Sequence, residues 1–264
     1  MLKFRNAAFA AGALFVSVSA PAIAQDDDGG RWSVTVTPRY QQLFFSPSPE
    51  NGEVKSIPTY GGSIAVRNPD GRFGVMGTFM TGKKNNGFYN YEDDGFSGRY
   101  RFNVKREEYA LTFEYTPSET GVSLLAGYHN FLARENEARV DAPVGDSEVN
   151  SYRYKIGAAE AGFRLSSRLG ANSRQSLSAQ FLVGVGSGRY RVNEKEVIGG
   201  QTSTNVGSRK GTGYLGDIAI GYNIFLTDNI SLGARARGYV FFVDAKGADP
   251  IFAAAPEANL SVRF

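Results

Sequence analysis

The chain has 264 residues, including 32 Gly, 19 Phe and 14 Tyr, with no Cys and a single His. The absence of cysteine excludes disulfides, thiol catalysis and Cys-based zinc sites, and the glycine and aromatic load favours strands and turns over helices. The formal net charge is +3; setting aside the first 24 residues removes Lys3 and Arg5 and leaves 27 basic against 26 acidic residues, so nothing in the charge asks for a nucleic-acid partner.

Residues 1–24 have the layout of a cleavable secretory signal peptide. Lys3 and Arg5 are followed by an apolar run from Ala7 to Val18, then by Pro21 and by the small residues Ala22 and Ala24 ahead of "QDDDGG". Residues 25–30 are expected to form a flexible mature terminus, and residues 31–264 a single domain. "DDDGG" resembles a calcium loop only in composition.

From Trp32 onward the apolar residues recur every second position. The rows are Trp32–Val34–Val36, Ile64–Val66, Phe73–Val75–Gly77–Phe79, Tyr109–Leu111–Phe113–Tyr115 and Val122–Leu124–Ala126–Tyr128. After them come Leu177 to Val185, Tyr214 to Ile224, Leu232 to Phe242 and Ala258 to Phe264, all in the same rhythm. Period two predicts strands with one apolar and one polar face. Between Tyr152 and Leu165 two rows of opposite parity compete: Tyr154, Ile156 and Ala158 against Ala159, Ala161, Phe163 and Leu165. Turning the first row to lipid would put Glu160 and Arg164 there too, at about 2–4 kcal/mol for a midplane arginine. The second row is therefore expected to face out, or a bulge near Gly157 to switch faces.

Short connections at 68–71, 116–121, 166–174 and 226–229 are rich in turn residues. They alternate with long polar ones at 46–58, 83–103, 134–150, 191–208 and 244–253, giving ten strands, or twelve if 83–103 holds a hairpin. Aromatics fall at both ends of the apolar rows: Trp32, Phe73, Tyr115, Phe163, Phe225 and Phe264 near the short turns, Tyr40, Phe79, Tyr128, Tyr190, Tyr214 and Phe242 near the long loops. Two aromatic belts around apolar rows predict an all-β, antiparallel up-and-down transmembrane barrel with lipid outside and polar groups within. Pro38 and Pro256, which donate no ladder hydrogen bond, sit on the first and last strands; the seam between them is expected either to be locally loosened or, the preferred reading, to take a bulge at each.

The inward rows carry acids and arginines. Arg39, Glu257, Arg237 and Asp217 are expected at similar heights on strands one, ten, nine and eight, with Glu108 opposite and Arg235 nearby. This pattern suits either a charge network that fills a narrow lumen or a charged constriction in a small polar pore; inward Leu125, Leu182 and Leu215 argue for partial plugging. The long segments 83–103 and 134–150 suit surface recognition.

The chain resembles the outer-membrane β-barrel proteins of Gram-negative bacteria in its signal peptide, loop alternation, belts and terminal "PEANLSVRF". The resemblance implies an outer-membrane location reached by way of the signal peptide, contact with outer-membrane lipid and lipopolysaccharide, and recognition by the barrel assembly machinery through Phe264, Val262, Leu260 and Ala258. Pro256 departs from that terminal pattern. The implied function is a structural or narrow porin-like barrel, with a surface adhesin or ligand-binding barrel as the alternative; the oligomeric state is left open. No enzyme is expected. His129 in "GYHNF" has Phe131 where lipid A deacylases carry a serine, and "YEDDG" (Glu92, Asp93, Asp94) is a weak candidate for an acid-rich protease site. No cofactor or metal ligand set is predicted.

Overall fold

The computed structural model describes residues 32–46, 54–93, 96–117, 121–170 and 174–264. The expected signal peptide (1–24) and mature terminus (25–30) lie outside the described residues. Ten strands follow one another: β1 (Ser33–Ser46), β2 (Lys55–Arg67), β3 (Phe73–Asp93), β4 (Phe96–Tyr115), β5 (Val122–Arg139), β6 (Ser147–Leu169), β7 (Gln175–Ile198), β8 (Gln201–Phe225), β9 (Ile230–Asp244) and β10 (Ile251–Arg263). Each is antiparallel to its sequence neighbour, and β1 pairs with β10 to close the barrel. Closure leaves no unpaired sheet edge, the condition for crossing hydrocarbon with strands.

Much of what reads as long loops is strand. The 83–103 segment forms the upper arms of β3 and β4, so the strand number is ten and not twelve. The 191–208 segment continues β7 and β8 up to a turn at Gly199–Gly200, where both φ angles are positive (56° and 81°). That is the geometry a two-residue hairpin turn requires, and glycine adopts it without a Cβ clash.

A change of polarity along the strands explains both the long arms and the ambiguous rows. On β7 the lower outward residues are Phe181, Val183 and Val185; farther up, the outward positions become Arg189, Arg191 and Asn193, while Tyr190 and Val192 turn inward. On β6 the register to both neighbours is unbroken from Leu165 to Val149. Ala159, Ala161, Phe163 and Leu165 face out below, and Tyr154, Ile156 and Ala158 face in above. Both apolar rows are therefore genuine, and no bulge occurs at Gly157. The strand leaves lipid for water, so its apolar face changes from the outside to the inside. Gly157 points outward beneath the Tyr128 hydroxyl, where a Cβ would collide. The one register shift on the upper arms lies between Lys84 and Gly87, with Asn86 at φ 54°.

At the seam the β1–β10 pairs keep one constant offset from Thr35↔Arg263 to Ser46↔Phe252. The expected bulges are absent. The ladder is instead interrupted twice, beside Pro38 and beside Pro256, where a donor is missing. The lower end is secured by Phe264, whose N–H donates to the Val34 carbonyl at 2.8 Å and whose carbonyl accepts from the Val34 N–H at 3.1 Å.

Outward, the barrel carries a continuous apolar band. Trp32, Phe73, Tyr115, Phe163 and Phe264 are exposed at its lower rim, with Phe73 and Tyr115 stacked at 4.8 Å. Tyr40, Phe79, Tyr128 and Tyr214 are exposed at its upper rim, and Phe242 stacks on Tyr214 there at 5.9 Å. Tyr60, Tyr109 and Phe252 join the upper rim. Two expected belt members do not. Phe225 has the opposite parity from Tyr222 and Ile224 and sits half-buried under the Arg168 guanidinium at 4.7 Å, and Tyr190 is turned inside. A contiguous apolar girdle of this extent has no place on a water-soluble monomer.

Candidate functional site

The lumen is built in layers. Lowest, Glu114 on β4 accepts from Arg67 on β2 (2.7 Å) and Arg164 on β6 (3.2 Å); Arg164 also reaches Gln180 on β7 at 3.0 Å. Gln180 donates to Asp217 on β8 at 3.3 Å. These residues lie on inward positions of strands whose outward positions are apolar, so strand alternation alone brings them together.

The middle layer holds the charges singled out in the sequence. Arg237 pairs with Asp217 at 2.6 Å and approaches Glu257 at 3.7 Å, and Glu257 lies 3.8 Å from Arg39, so the four form a chain around β1, β10, β9 and β8. Arg39 also donates to Ser63 at 3.0 Å. Glu108 faces them across the lumen, held by Arg106 and by His129 Nε2 at 3.2 Å. The other imidazole nitrogen, Nδ1, meets Glu160 at 3.1 Å. Arg235 is turned inward but makes no salt bridge among the described residues. Buried arginines whose forks meet carboxylates are far less costly than unpaired ones.

Above this layer the lumen is packed with apolar side chains. Phe131 of β5 stacks on Phe241 of β9 with ring centroids 3.9 Å apart, and Tyr239 continues the stack at 5.6 Å. The Arg106 guanidinium covers Phe131, Tyr239 and Phe241 at 5.1–5.7 Å. Leu215, Ile156, Val243, Phe102 and Ile57 complete the layer, all buried. Leu125, Leu182 and Leu215 are inward and buried, as their parity implies. Ile156 belongs to the row expected to face inward, whereas Phe131 and Phe241 lie on upper arms where the period-two signal persists with reversed sense and does not stand out from the sequence.

The upper arms enclose a cavity of about 560 Å³ at the mouth. Six tyrosines line it, Tyr89, Tyr91, Tyr100, Tyr152, Tyr154 and Tyr190. Six carboxylates do as well, Glu135, Glu137, Glu148, Glu194, Glu196 and Asp249, against one cation, Lys55. Lys55 is fully buried, 2.5 Å from Glu135 and 3.0 Å from Glu137, with its ammonium 4.6 Å from the Tyr89 ring centre. Phenols orient the other acids: Tyr89 donates to Glu137 (2.9 Å), Tyr100 to Glu148 (2.7 Å) and Tyr152 to Glu194 (3.3 Å). Burial, together with these carboxylates, raises the pKa of Tyr100 and Tyr152, and burial followed by Glu194 pushes Tyr190 up to about 12, so the phenols stay neutral donors. Burial also raises Asp249.

This mouth was not foreseen from the sequence; 134–150 and 191–208 read as loops, and the Tyr–acid alternation of "EVNSYRY" was the available signal. Glu92, the one acid of "YEDDG" whose side chain is described, is exposed at the end of β3 rather than lining the cavity, and Asp94 lies outside the described residues. His129 lies below the plug and apart from the mouth. Among the described residues no cluster of His, Cys, Asp and Glu is arranged to hold a metal ion.

No protein-family model matches the sequence, and no curated protein matches it. Among solved structures the chain is similar to the outer-membrane protease OmpT from Escherichia coli, with a TM-score of 0.51 at 10% identity over 88% of this chain and 95% of that one. It is also similar to the translocator domain of the autotransporter NalP from Neisseria meningitidis, with a TM-score of 0.50 at 9% identity over 88% of this chain and 89% of that one. At such identity the likeness is one of fold. A closed ring of ten antiparallel strands, apolar outside and charged within, has the fold of the Gram-negative outer-membrane β-barrel proteins.

Proposed function

We propose that this protein is a sealed barrel of the outer membrane that binds a small organic cation at its outer mouth. The observation that carries the reading is the cavity above the plug, where six carboxylates and six tyrosines face a single lysine. Its volume falls in the range of small-molecule sites. Carboxylates supply the countercharge for an ammonium or guanidinium group, and neutral tyrosine faces attract the same cation through their quadrupoles. Lys55 already occupies one such position, between Glu135, Glu137 and the Tyr89 ring, and shows which chemistry the site accepts.

Beneath the cavity the Phe131–Phe241 stack and the charge layer fill the lumen, which opposes passive passage of solutes. Catalysis has no support here either, since His129 is buried between two glutamates and screened from the mouth. The reading calls for no cofactor. In the membrane the lower rim meets the periplasmic leaflet, and the terminal Phe264 serves as part of the signal read by the barrel assembly machinery.

Calorimetric titration of the refolded protein in zwitterionic micelles with spermidine tests this. Saturable binding is expected, weakened at least tenfold in Glu148→Gln/Glu194→Gln and unaffected by an excess of succinate. Absence of saturable heat with both spermidine and arginine amide would overturn the proposal.

A further inference from the structure

The outer surface of the upper arms carries a second feature, independent of what the mouth holds. The cross-strand registers align one outward row as Lys83, Lys105, Arg134, Arg153 and Arg191, each directly opposite the next on β3 to β7. Two residues closer to the upper aromatic rim, the next row brings Lys155, Arg189 and Lys210 together on β6 to β8. Eight cations thus share one side of the barrel. Glu107, 2.7 Å from Lys105, is the one carboxylate in a salt bridge with any of them among the described residues.

Directly opposed like charges on a sheet are destabilising. Slight burial, and then the charges of Arg134, Arg191 and Arg189, lower the pKa of Arg153, so the rows repel one another. Elsewhere the fold pairs most of its inward arginines with acids, as Arg237 with Asp217 and Arg67 with Glu114. Apart from Lys105, the cations of these two rows have no such salt bridge among the described residues. Their height is equally specific. Tyr128, Val185 and Tyr214 face out in register with one another on β5, β7 and β8 (through Ala159 of β6), and the lower cationic row begins four residues above them. That is the level at which the polar headgroups of a surrounding leaflet meet the barrel, and the long arginine and lysine stems reach toward the interface.

We propose that this basic face binds the phosphate groups of a phosphorylated lipid headgroup in the outer leaflet. Arginine forks suit phosphate oxygens bidentately. Two staggered rows, one richer in arginine and one mixed, match a headgroup that carries more than one phosphate. The annular lipid on β3 to β8 is then held by charge as well as by apolar contact, while the opposite side of the barrel, from β9 through β10 to β2, has no comparable band among the described residues.

The test uses the full mature barrel refolded in uncharged maltoside micelles and native mass spectrometry with diphosphoryl lipid A, monophosphoryl lipid A and a dephosphorylated analogue as probes. Saturable binding of the diphosphoryl form is expected, at least tenfold tighter than the dephosphorylated one and at least tenfold weaker in high salt, since surface charges are screened there. Arg134→Ser/Arg153→Ser/Arg191→Ser is expected to lose at least tenfold in affinity. Arg72→Gln/Arg174→Gln, on the short-turn side, is expected to bind as the wild type. Removing mutually repelling charges leaves the barrel no less stable in phosphate-free micelles, which heat-modifiable gel mobility checks. If the triple variant fails to fold, the lipid and salt series on the wild type decides. Equal affinity for phosphorylated and dephosphorylated lipid, or an unaffected triple variant, would overturn the proposal. So would full competition by millimolar inorganic phosphate, which would point to a free anion, or tighter binding of a heparin fragment, which would point to a soluble polyanion.

Discussion

Lys55→Met isolates the electrostatics of the mouth. Lys55 is fully buried and is held by Glu135, Glu137 and the Tyr89 ring. Methionine keeps the stem and removes the charge, leaving two carboxylates in a narrow space without their cation. Breaking a buried pair by removing one partner costs about 3–5 kcal/mol. The cavity above admits water, so the lower end applies, about 3 kcal/mol. Guanidinium unfolding in lipid vesicles reads this through Trp32, the only tryptophan in the chain. Spermidine at a hundredfold excess over its dissociation constant is expected to restore about 2.7 kcal/mol. A deficit below about 1 kcal/mol at neutral pH would refute the assignment of Lys55 as an internal countercharge.

Three further outcomes are expected. Phe131→Ala removes one ring of the 3.9 Å stack and lowers stability by about 3–5 kcal/mol by the same unfolding assay; because Phe241 shares that contact, the double alanine variant costs less than the sum. Cation binding at the mouth weakens as pH falls. Burial raises Asp249, so part of this loss occurs above the ordinary aspartate range, and Asp249→Asn removes that part of the calorimetric pH profile while lowering affinity at neutral pH. Deleting Phe264 removes its two hydrogen bonds with Val34 at the lower end of the seam and reduces the yield of membrane-inserted barrel, measured by heat-modifiable mobility; normal insertion would contradict its assigned role.

The membrane-embedded half of this fold was legible because a single rule governs it there. In lipid, period-two alternation with apolar residues outside is the only arrangement that solvates both faces, so Phe181, Val183 and Val185 and their inward neighbours could be sorted by parity alone. The same parity placed Arg39, Glu257, Arg237 and Asp217 on adjoining strands, where the structure joins them. Above the rim the rule reverses. Arg189, Arg191, Tyr190 and Val192 still alternate, but with the polar residue outside, and a search for outward apolar rows takes such segments for loops. The competing rows of β6 record that reversal within one strand. Phe225 was misplaced for a different reason: it is aromatic and near a turn, but one residue out of phase with the lipid-facing row. The seam prolines read as bulge sites in the sequence, whereas the ladder tolerates two interruptions when the pairs on either side hold the offset.

Planar-bilayer recording of the wild-type protein tests the central claim, that the lumen is closed and the barrel works at its mouth. In molar potassium chloride the account predicts no discrete current steps at either polarity, although the protein is demonstrably inserted. Stepwise, ion-selective openings of the wild type, altered by replacing Arg237 or Glu108, would contradict it.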